Sequence, residues 1–390
     1  MKKELELYLH IPFCVQKCAY CDFLSFGRKD RAGGDTAKLY DRYFASLKGE
    51  IEAFPWTEQY EVSSVFIGGG TPSAVPAKNI AALIETLYET FDFQKNAEIS
   101  IEANPGTLSL KKLQIYRNAG INRISLGLQS VHNEELRLLG RIHTWEDFLD
   151  SWEMVEEAGF RNRNIDLMSA LPGQTAASWE EGLLRVLKLR PEHISAYSLI
   201  IEEGTPFYEK YGEAAGLRAK GEESGLLPDE ETERQMYHRT KQILEEHGYH
   251  RYEISNYARK GYECRHNCGY WQRKEYRGFG LGAASLMKES RSANTEELEE
   301  YLKGSYRMEV PDRLTTSEQM EETMFLGLRL TRGVSTVEFE KRFGRSTEEI
   351  YGKVIEDLQR EGLLEKCEEF LRLTEKGMDL ANYAMSKFLL

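Results

Sequence analysis

The sequence predicts an α/β protein: a partial (β/α)6 barrel followed by a mainly helical, winged-helix-like C-terminal domain. Three observations carry this prediction. Apolar, β-rich runs alternate with helix-length amphipathic stretches over the first 200 residues, the pattern of βαβ units and a mostly parallel sheet. There are six such runs, too few for the usual closed barrel of about eight strands. After Thr295 the pattern changes to helices with two short, late β runs.

Strands are expected at 5–10, 62–67, 97–102, 122–128, 164–168 and 193–200, with helices at 81–91, 109–119, 148–158 and 179–189 between them. In parallel α/β folds ligands bind at the carboxyl ends of strands, and the distinctive residues fall there. Cys14, Cys18 and Cys21 follow the first run, and Gly68-Gly69-Gly70-Thr71-Pro72 follows the second. Glu102 ends the third, Gln129 the fourth, and Asp166 lies within or near the end of the fifth. The stretch 210–229 is rich in Gly, Glu and Lys and predicts a surface loop with a short helix. A helix over 230–247 and a short strand near 251–256 follow. Helices at 317–330, 337–343 and 350–361, a short strand at 370–374 and a last helix to Leu390 complete the chain. The expected divisions are a barrel over 1–210, a barrel extension and linker over 211–304, and a C-terminal domain over 305–390.

The chain has 390 residues, 41% hydrophobic and 29% charged, which excludes disordered, collagen-like and disulfide-scaffold proteins. Its 51 basic and 64 acidic residues give a net charge of −13, which argues against broad binding to a nucleic-acid backbone. Residues 307–390 hold 13 basic and 17 acidic side chains, a net −4, so the C-terminal domain reads as a packing or partner module rather than a DNA-binding wing. No targeting signal is expected, because charges interrupt MKKELELYLHIP. Nothing approaches the roughly 18 apolar residues of a membrane span, so the expected location is the cytoplasm.

Three of the six cysteines lie within eight residues, in a C-x3-C-x2-C grouping. Clustered cysteines in a cytosolic chain point to metal binding or catalysis. Tetrahedral zinc wants a fourth ligand, whereas three thiolates can hold a [4Fe–4S] cube and leave one iron open. A cluster, a structural metal and three unrelated buried thiols all remain open on spacing alone.

The segments Tyr8-Leu9-His10-Ile11-Pro12-Phe13-Cys14 and Cys21-Asp22-Phe23, with GGGTP, Ile101-Glu102-Ala103-Asn104-Pro105, Ser125-Leu126-Gly127-Leu128-Gln129-Ser130, Asn164-Ile165-Asp166-Leu167 and Leu171-Pro172-Gly173-Gln174, resemble the radical S-adenosylmethionine (SAM) superfamily. Arg265-His266-Asn267-Cys268-Gly269-Tyr270-Trp271 and Gly278-Phe279-Gly280-Leu281-Gly282-Ala283 extend the likeness to nearly the whole chain. It resembles the branch containing oxygen-independent coproporphyrinogen III oxidase and heme chaperones. The resemblance implies a radical-SAM partial barrel with a [4Fe–4S] cluster on Cys14, Cys18 and Cys21. It implies SAM contacts at Tyr8, Tyr20, Gly69, Gly70, Thr71, Glu102, Gln129, Arg141 and Asp166, with Glu102 accepting the ribose hydroxyls. No catalytic side chain is assigned.

Within that branch the oxidases carry a fourth cysteine where this chain has Phe23, and a long segment ahead of the cluster where thirteen residues precede Cys14. Both features match the heme-chaperone subfamily, in which the H-N-x-x-Y-W pattern is associated with heme. The resemblance therefore implies heme near His266, Tyr270 and Trp271, and delivery to a respiratory heme protein with peripheral membrane contact. A reduced flavodoxin- or ferredoxin-type electron donor is also implied, and no nucleic-acid partner. The alternatives are SAM-dependent oxidative decarboxylation of coproporphyrinogen III to protoporphyrinogen IX, and a noncatalytic structural zinc module.

Overall fold

Strand alternation sets the architecture. The computed structural model describes residues 2–27, 35–222, 224–306 and 312–389. β1 (Lys3–Ile11) turns Leu5, Leu7, Leu9 and Ile11 to one side, where all are fully buried in the main core. Glu6, Tyr8 and His10 alternate with them and therefore face the other side. β2 (Tyr60–Gly69), β3 (Asp92–Ala103), β4 (Arg123–Gln129), β5 (Arg163–Ser169) and β6 (His193–Ser198) repeat the division. Val65, Ile67, Ile99, Ile101, Ile124, Leu126, Ile165 and Ile194 join the core. Ser64, Glu98, Glu102, Arg123, Ser125, Asn164, Asp166, His193 and Ser195 occupy the alternate positions. Closed barrels are filled mainly by branched apolar side chains; here the concave side is polar, so the interior is built as a site.

All six expected strands form, and β1 to β6 pair in parallel and in chain order. Parallel pairing needs crossover helices. These are α1 (Thr36–Glu52), α2 (Ala77–Thr90), α3 (Leu110–Asn118), then α4 (Asn133–Leu138) with α5 (Trp145–Glu157), and α6 (Ala176–Leu187). α5 starts in a reciprocal capping box between Thr144 and Asp147, a device worth about 1 kcal/mol.

The segment expected to be a loop with a short helix at 210–229 instead begins with α7 (Pro206–Arg218), capped by Thr205 with Pro at its first turn. Its glycines at 212 and 216 hide it from a propensity reading, yet Phe207, Tyr211 and Ala214 are buried in a satellite core. Glu223 lies outside the described residues. α8 (Glu230–Glu246) follows as expected, then β7 (His250–Arg251) and β8 (Asn256–Ala258), which close antiparallel onto β6. A short helix, α9 (Arg265–Trp271), leads to β9 (Tyr276–Phe279), which pairs parallel with the free edge of β1. β10 (Ala284–Met287) and β11 (Ser290–Ala293) continue that edge, followed by α10 (Leu298–Leu302) and β12 (Asp312–Arg313). The resulting 12-stranded sheet runs from β12 to β7 without its ends meeting, an open barrel.

The C-terminal region is mainly helical: α11 (Thr316–Gly327), β13 (Val334–Ser335), α12 (Thr336–Phe343), α13 (Thr347–Arg360), β14 (Leu364–Cys367), β15 (Phe370–Leu373), α14 (Glu375–Asp379) and α15 (Ala381–Ser386). The order β13-β15-β14, with a hairpin after three helices, is winged-helix-like. It has its own core around Met324, Phe339, Tyr351 and Leu371. The last helix ends before Leu390, which lies outside the described residues. Thr331 N–H donates to the Tyr252 carbonyl at 3.0 Å, tying this unit to the barrel. No described helix is long and apolar enough to cross a membrane.

Candidate functional site

The cysteine loop leaves β1 at its carboxyl end and is fastened on both sides. Cys14 N–H donates to the Phe26 carbonyl at 3.0 Å, and Ala19 N–H donates to the Leu139 carbonyl at 3.0 Å. From the glycine run, Gly70 and Thr71 amides donate to the Ile11 and Phe13 carbonyls at 2.9 and 2.8 Å. A Cβ on Gly70 would lie 2.9–3.0 Å from those backbone atoms, and Gly69 has φ +107° with its Cβ direction blocked by the His10 ring. Close backbone approach to the cysteine loop therefore requires glycine at both positions.

Thr71 Oγ1 donates to Cys14 Sγ at 3.4 Å, and Arg141 Nη1 donates to Cys18 Sγ at 3.5 Å. Burial, opposed by a Phe23 backbone hydrogen bond, pushes the Cys21 thiol up to about 11, with the Cys18 and Cys14 charges adding. The three sulfurs thus share one electrostatic neighbourhood. Among the described residues no group of three or more His, Cys, Asp or Glu converges on a single metal ion. In a cube each thiolate takes a different iron, so three cysteines on one loop need not meet at a single point.

Beside the loop lies a cavity of about 390 Å³ lined by Tyr8, Gly69, Glu102 and Asp166, with Phe23, Phe66 and Tyr270 among its other walls. That volume is within the roughly 300–1,000 Å³ of small-molecule sites. Tyr8 OH lies 2.9 Å from His10 Nδ1, and His10 Nε2 lies 2.8 Å from the Leu24 carbonyl. The carbonyl can only accept, so Nε2 carries the proton and Tyr8 donates to Nδ1. Glu102 accepts the Gly69 N–H at 3.3 Å, and burial together with the Asp166 charge pushes its carboxyl up to about 8. Asp166 accepts from Ser125 Oγ at 2.9 Å and Asn164 Nδ2 at 2.7 Å, and burial raises it too.

The other expected SAM residues, Tyr20, Gly70, Thr71, Gln129 and Arg141, do not line this cavity. Thr71 and Arg141 line a neighbouring recess with Cys18 and Asn104. Arg141 Nη2 donates to Asn104 Oδ1 at 2.8 Å and to the Gly127 carbonyl. Tyr20 packs edge-on against Phe207, with ring centroids 6.4 Å apart. Gln129 takes a left-handed φ of 72° at a register shift in β4, and its Oε1 accepts from Tyr197 OH at 2.8 Å.

The H-N-x-x-Y-W residues divide between two faces of α9. His266 is 1% exposed, with Nδ1 at 2.9 Å from Ser64 Oγ and Nε2 at 3.1 Å from Tyr270 OH. Its ring stacks on Phe66 with centroids 5.2 Å apart, and burial followed by the Arg123 charge holds its pKa down to about 3. Tyr270 and Asn267 reach the cavity. Trp271 instead faces the C-terminal unit, with Arg329 over its ring at 4.2 Å. α9 is seated by Glu98, which accepts the Arg265 N–H at 3.3 Å, and by Glu6, whose carboxylate leaves no room for a Cβ on Gly269.

Motif reading missed several cavity residues, namely Phe66, Arg123, Ser125, Asn164, Ser195 and Asn267. The strand ones had a signal. In NRISLGLQ, NID and HISAY every second residue is polar or glycine, which marks a polar interior.

The radical SAM superfamily model matches residues 8–185, and the HemN C-terminal domain model matches 314–380. The chain is 37% identical over 388 residues to heme chaperone HemW of Bacillus subtilis, covering 98% of both chains. It is 32% identical to heme chaperone HemW of Escherichia coli, covering 99% of this chain and 98% of that one. A mitochondrial radical S-adenosyl methionine domain-containing protein 1 from Danio rerio is 30% identical, over 99% of this chain and 87% of its own. Among solved structures, coproporphyrinogen III oxidase (HemN) from Escherichia coli superposes with a TM-score of 0.82 at 24% identity, over 100% of this chain and 90% of that chain; this likeness shows the fold. With the cysteine loop and its cavity at the carboxyl end of the sheet, and relatives matched end to end, the chain belongs to the radical SAM superfamily and, within it, to the family of the HemW heme chaperones.

Proposed function

We propose that this protein binds a [4Fe–4S] cluster, SAM and heme, and delivers heme to a respiratory heme protein. The observation that carries the reading is end-to-end similarity to proteins named heme chaperones. When bound, the cluster supplies an open iron and single-electron chemistry. Every other role falls to side chains. Cys14, Cys18 and Cys21 are the proposed thiolates, and Thr71 and Arg141 steady Cys14 and Cys18 by donating to their sulfurs. Glu102 faces the cavity and is the proposed ribose acceptor, with Tyr8, Gly69 and Asp166 as further walls. Gly70, Tyr20 and Gln129 complete the proposed SAM set.

His266 Nε2 is the proposed heme-ligating atom, since a neutral imidazole is a common iron ligand. Tyr270 is its gate, holding Nε2 by a hydrogen bond. Trp271 supports the opposite face of α9 against the C-terminal unit. The proposed setting is the cytoplasm, with a flavodoxin- or ferredoxin-type donor and peripheral contact at a membrane-bound acceptor; no nucleic-acid partner is proposed.

The test is transfer. Reconstituted, heme-loaded protein is mixed anaerobically with the apo form of a respiratory heme protein, and the acceptor's own absorbance bands are followed. Acceptor bands that grow as donor bands decay support delivery. A stable heme–protein spectrum with no transfer removes it.

A further inference from the structure

Five arginines are buried among the described residues: Arg123, Arg163, Arg251, Arg273 and Arg277. Four of them meet a carboxylate. Arg163 pairs with Glu192 at 2.8 Å, Arg251 with Glu375 at 3.1 Å, Arg273 with Glu322 at 2.7 Å, and Arg277 with Glu50 at 2.6 Å. Arg123 differs. It is 2% exposed, its Nε is buried without a partner, and its guanidinium forms no hydrogen bond or ion pair with any described residue.

The acids whose charge Arg123 feels are Glu98 and Asp166, and both are committed elsewhere. Glu98 accepts the Arg265 amide, the His266 amide and the Cys264 thiol. Asp166 accepts from Ser125 and Asn164. A buried guanidinium without a partner is costly, so its place in the fold needs a reason.

The reason is the cavity. Arg123 lines it, together with Tyr8, Asn164 and Asn267. In register, Arg123 pairs with Ser100, Ser100 with Phe66, and Phe66 with Tyr8. This row lies below the one holding Glu102 and Ser125, and further from the cysteine loop. The guanidinium is thus a forked donor on the cavity floor, in surroundings where its bonds are strong.

We propose that Arg123 binds a carboxylate of the ligand that occupies this cavity. The inference rests on reading the cavity as a site for SAM or heme, both of which carry carboxylates, and the source is set by experiment. Wild-type, Arg123→Lys and Arg123→Gln proteins, each reconstituted anaerobically, are titrated with matched probes. One pair is SAM and decarboxylated SAM; the other is heme and its dimethyl ester. Iron content and thermal unfolding establish that each variant is folded and loaded.

Arg123→Gln is expected to weaken one carboxylate-bearing ligand about 10- to 100-fold while leaving its carboxylate-free partner unchanged. Arg123→Lys, which keeps the charge and loses the fork, falls between and keeps the test alive if the Gln variant does not fold. A loss for heme but not its diester assigns a propionate; a loss for SAM but not its decarboxylated form assigns the amino-acid carboxylate. Equal affinities in wild type and both variants, or equal losses within a matched pair, overturn the proposal. If wild type fails to bind heme, the chaperone reading falls, and the SAM pair still decides Arg123.

Discussion

His266 Nε2 lies 3.1 Å from the Tyr270 hydroxyl, one turn further along the same helix, while Nδ1 is held by Ser64 at 2.9 Å. Both ring nitrogens are therefore committed, and iron ligation through Nε2 must break the Tyr270 bond. A neutral hydrogen bond is worth about 0.5–1.5 kcal/mol net. Tyr270→Phe removes that competition and should tighten heme binding about 2- to 10-fold, whereas His266→Ala should weaken it. Heme titrations followed by absorbance check both, and unchanged affinity in both variants removes Nε2 as the ligand.

The same burial has a pH consequence. His266 titrates at about 3 in the folded protein against 6.5 ordinarily, so in that window the unfolded chain binds a proton the folded chain does not. Its contribution is complete above pH 6.5 and is lost as pH falls, at up to about 1.4 kcal/mol per pH unit. Urea unfolding between about pH 7 and 5 should be less pH-dependent in His266→Gln than in wild type. Equal slopes contradict the buried, neutral imidazole.

Cys14→Ala, Cys18→Ala and Cys21→Ala should each abolish the [4Fe–4S] absorbance after anaerobic reconstitution. Because the Cys21 thiol is pushed up to about 11, loading must release its proton, and reconstitution should be poorer at low pH. A variant retaining the full cluster spectrum ends that cysteine's assignment.

Glu102→Ala should weaken SAM binding about 2- to 10-fold, the scale of a neutral hydrogen bond, with iron content unchanged. Titration calorimetry on reconstituted protein reads the affinity. Equal affinity for SAM removes the ribose role.

Gly70→Ala should act on the cluster through the backbone. The new Cβ meets Ile11 and Phe13 backbone atoms at 2.9–3.0 Å, so the Thr71 loop must move off the cysteine loop, at about 1–3 kcal/mol. Iron per chain after reconstitution should fall with thermal stability. Full iron content with normal stability shows that the loop tolerates the displacement.

Much of the barrel was legible because its strands carry two signals at once. Leu5, Leu7 and Leu9 mark the helix-covered face, and Glu6, Tyr8 and His10 mark the interior. The cysteine spacing and the glycine run fixed where chemistry gathers. α1 was not legible: it begins just beyond a glycine-rich stretch and reaches its core through Tyr43, Phe44, Leu47 and Ile51. α7 was masked by its glycines, and β9 to β11 are four residues each, too short to show alternation. Nor does the H-N-x-x-Y-W spacing reveal that His266 and Tyr270 plug the barrel interior while Trp271 turns away. Seven helical residues place i and i+4 on one face and i+5 on another, but which face is buried depends on Glu6, Ser64 and Glu98 from distant strands.

The most direct measurement gives the reconstituted protein, with SAM and a reductant under anaerobic conditions, heme in one vessel and coproporphyrinogen III in another. Heme binding is followed by absorbance and porphyrin products by chromatography. Saturable one-to-one heme binding and no protoporphyrinogen IX are expected. Absence of saturable heme binding, with coproporphyrinogen III converted to protoporphyrinogen IX, would contradict the heme-chaperone reading.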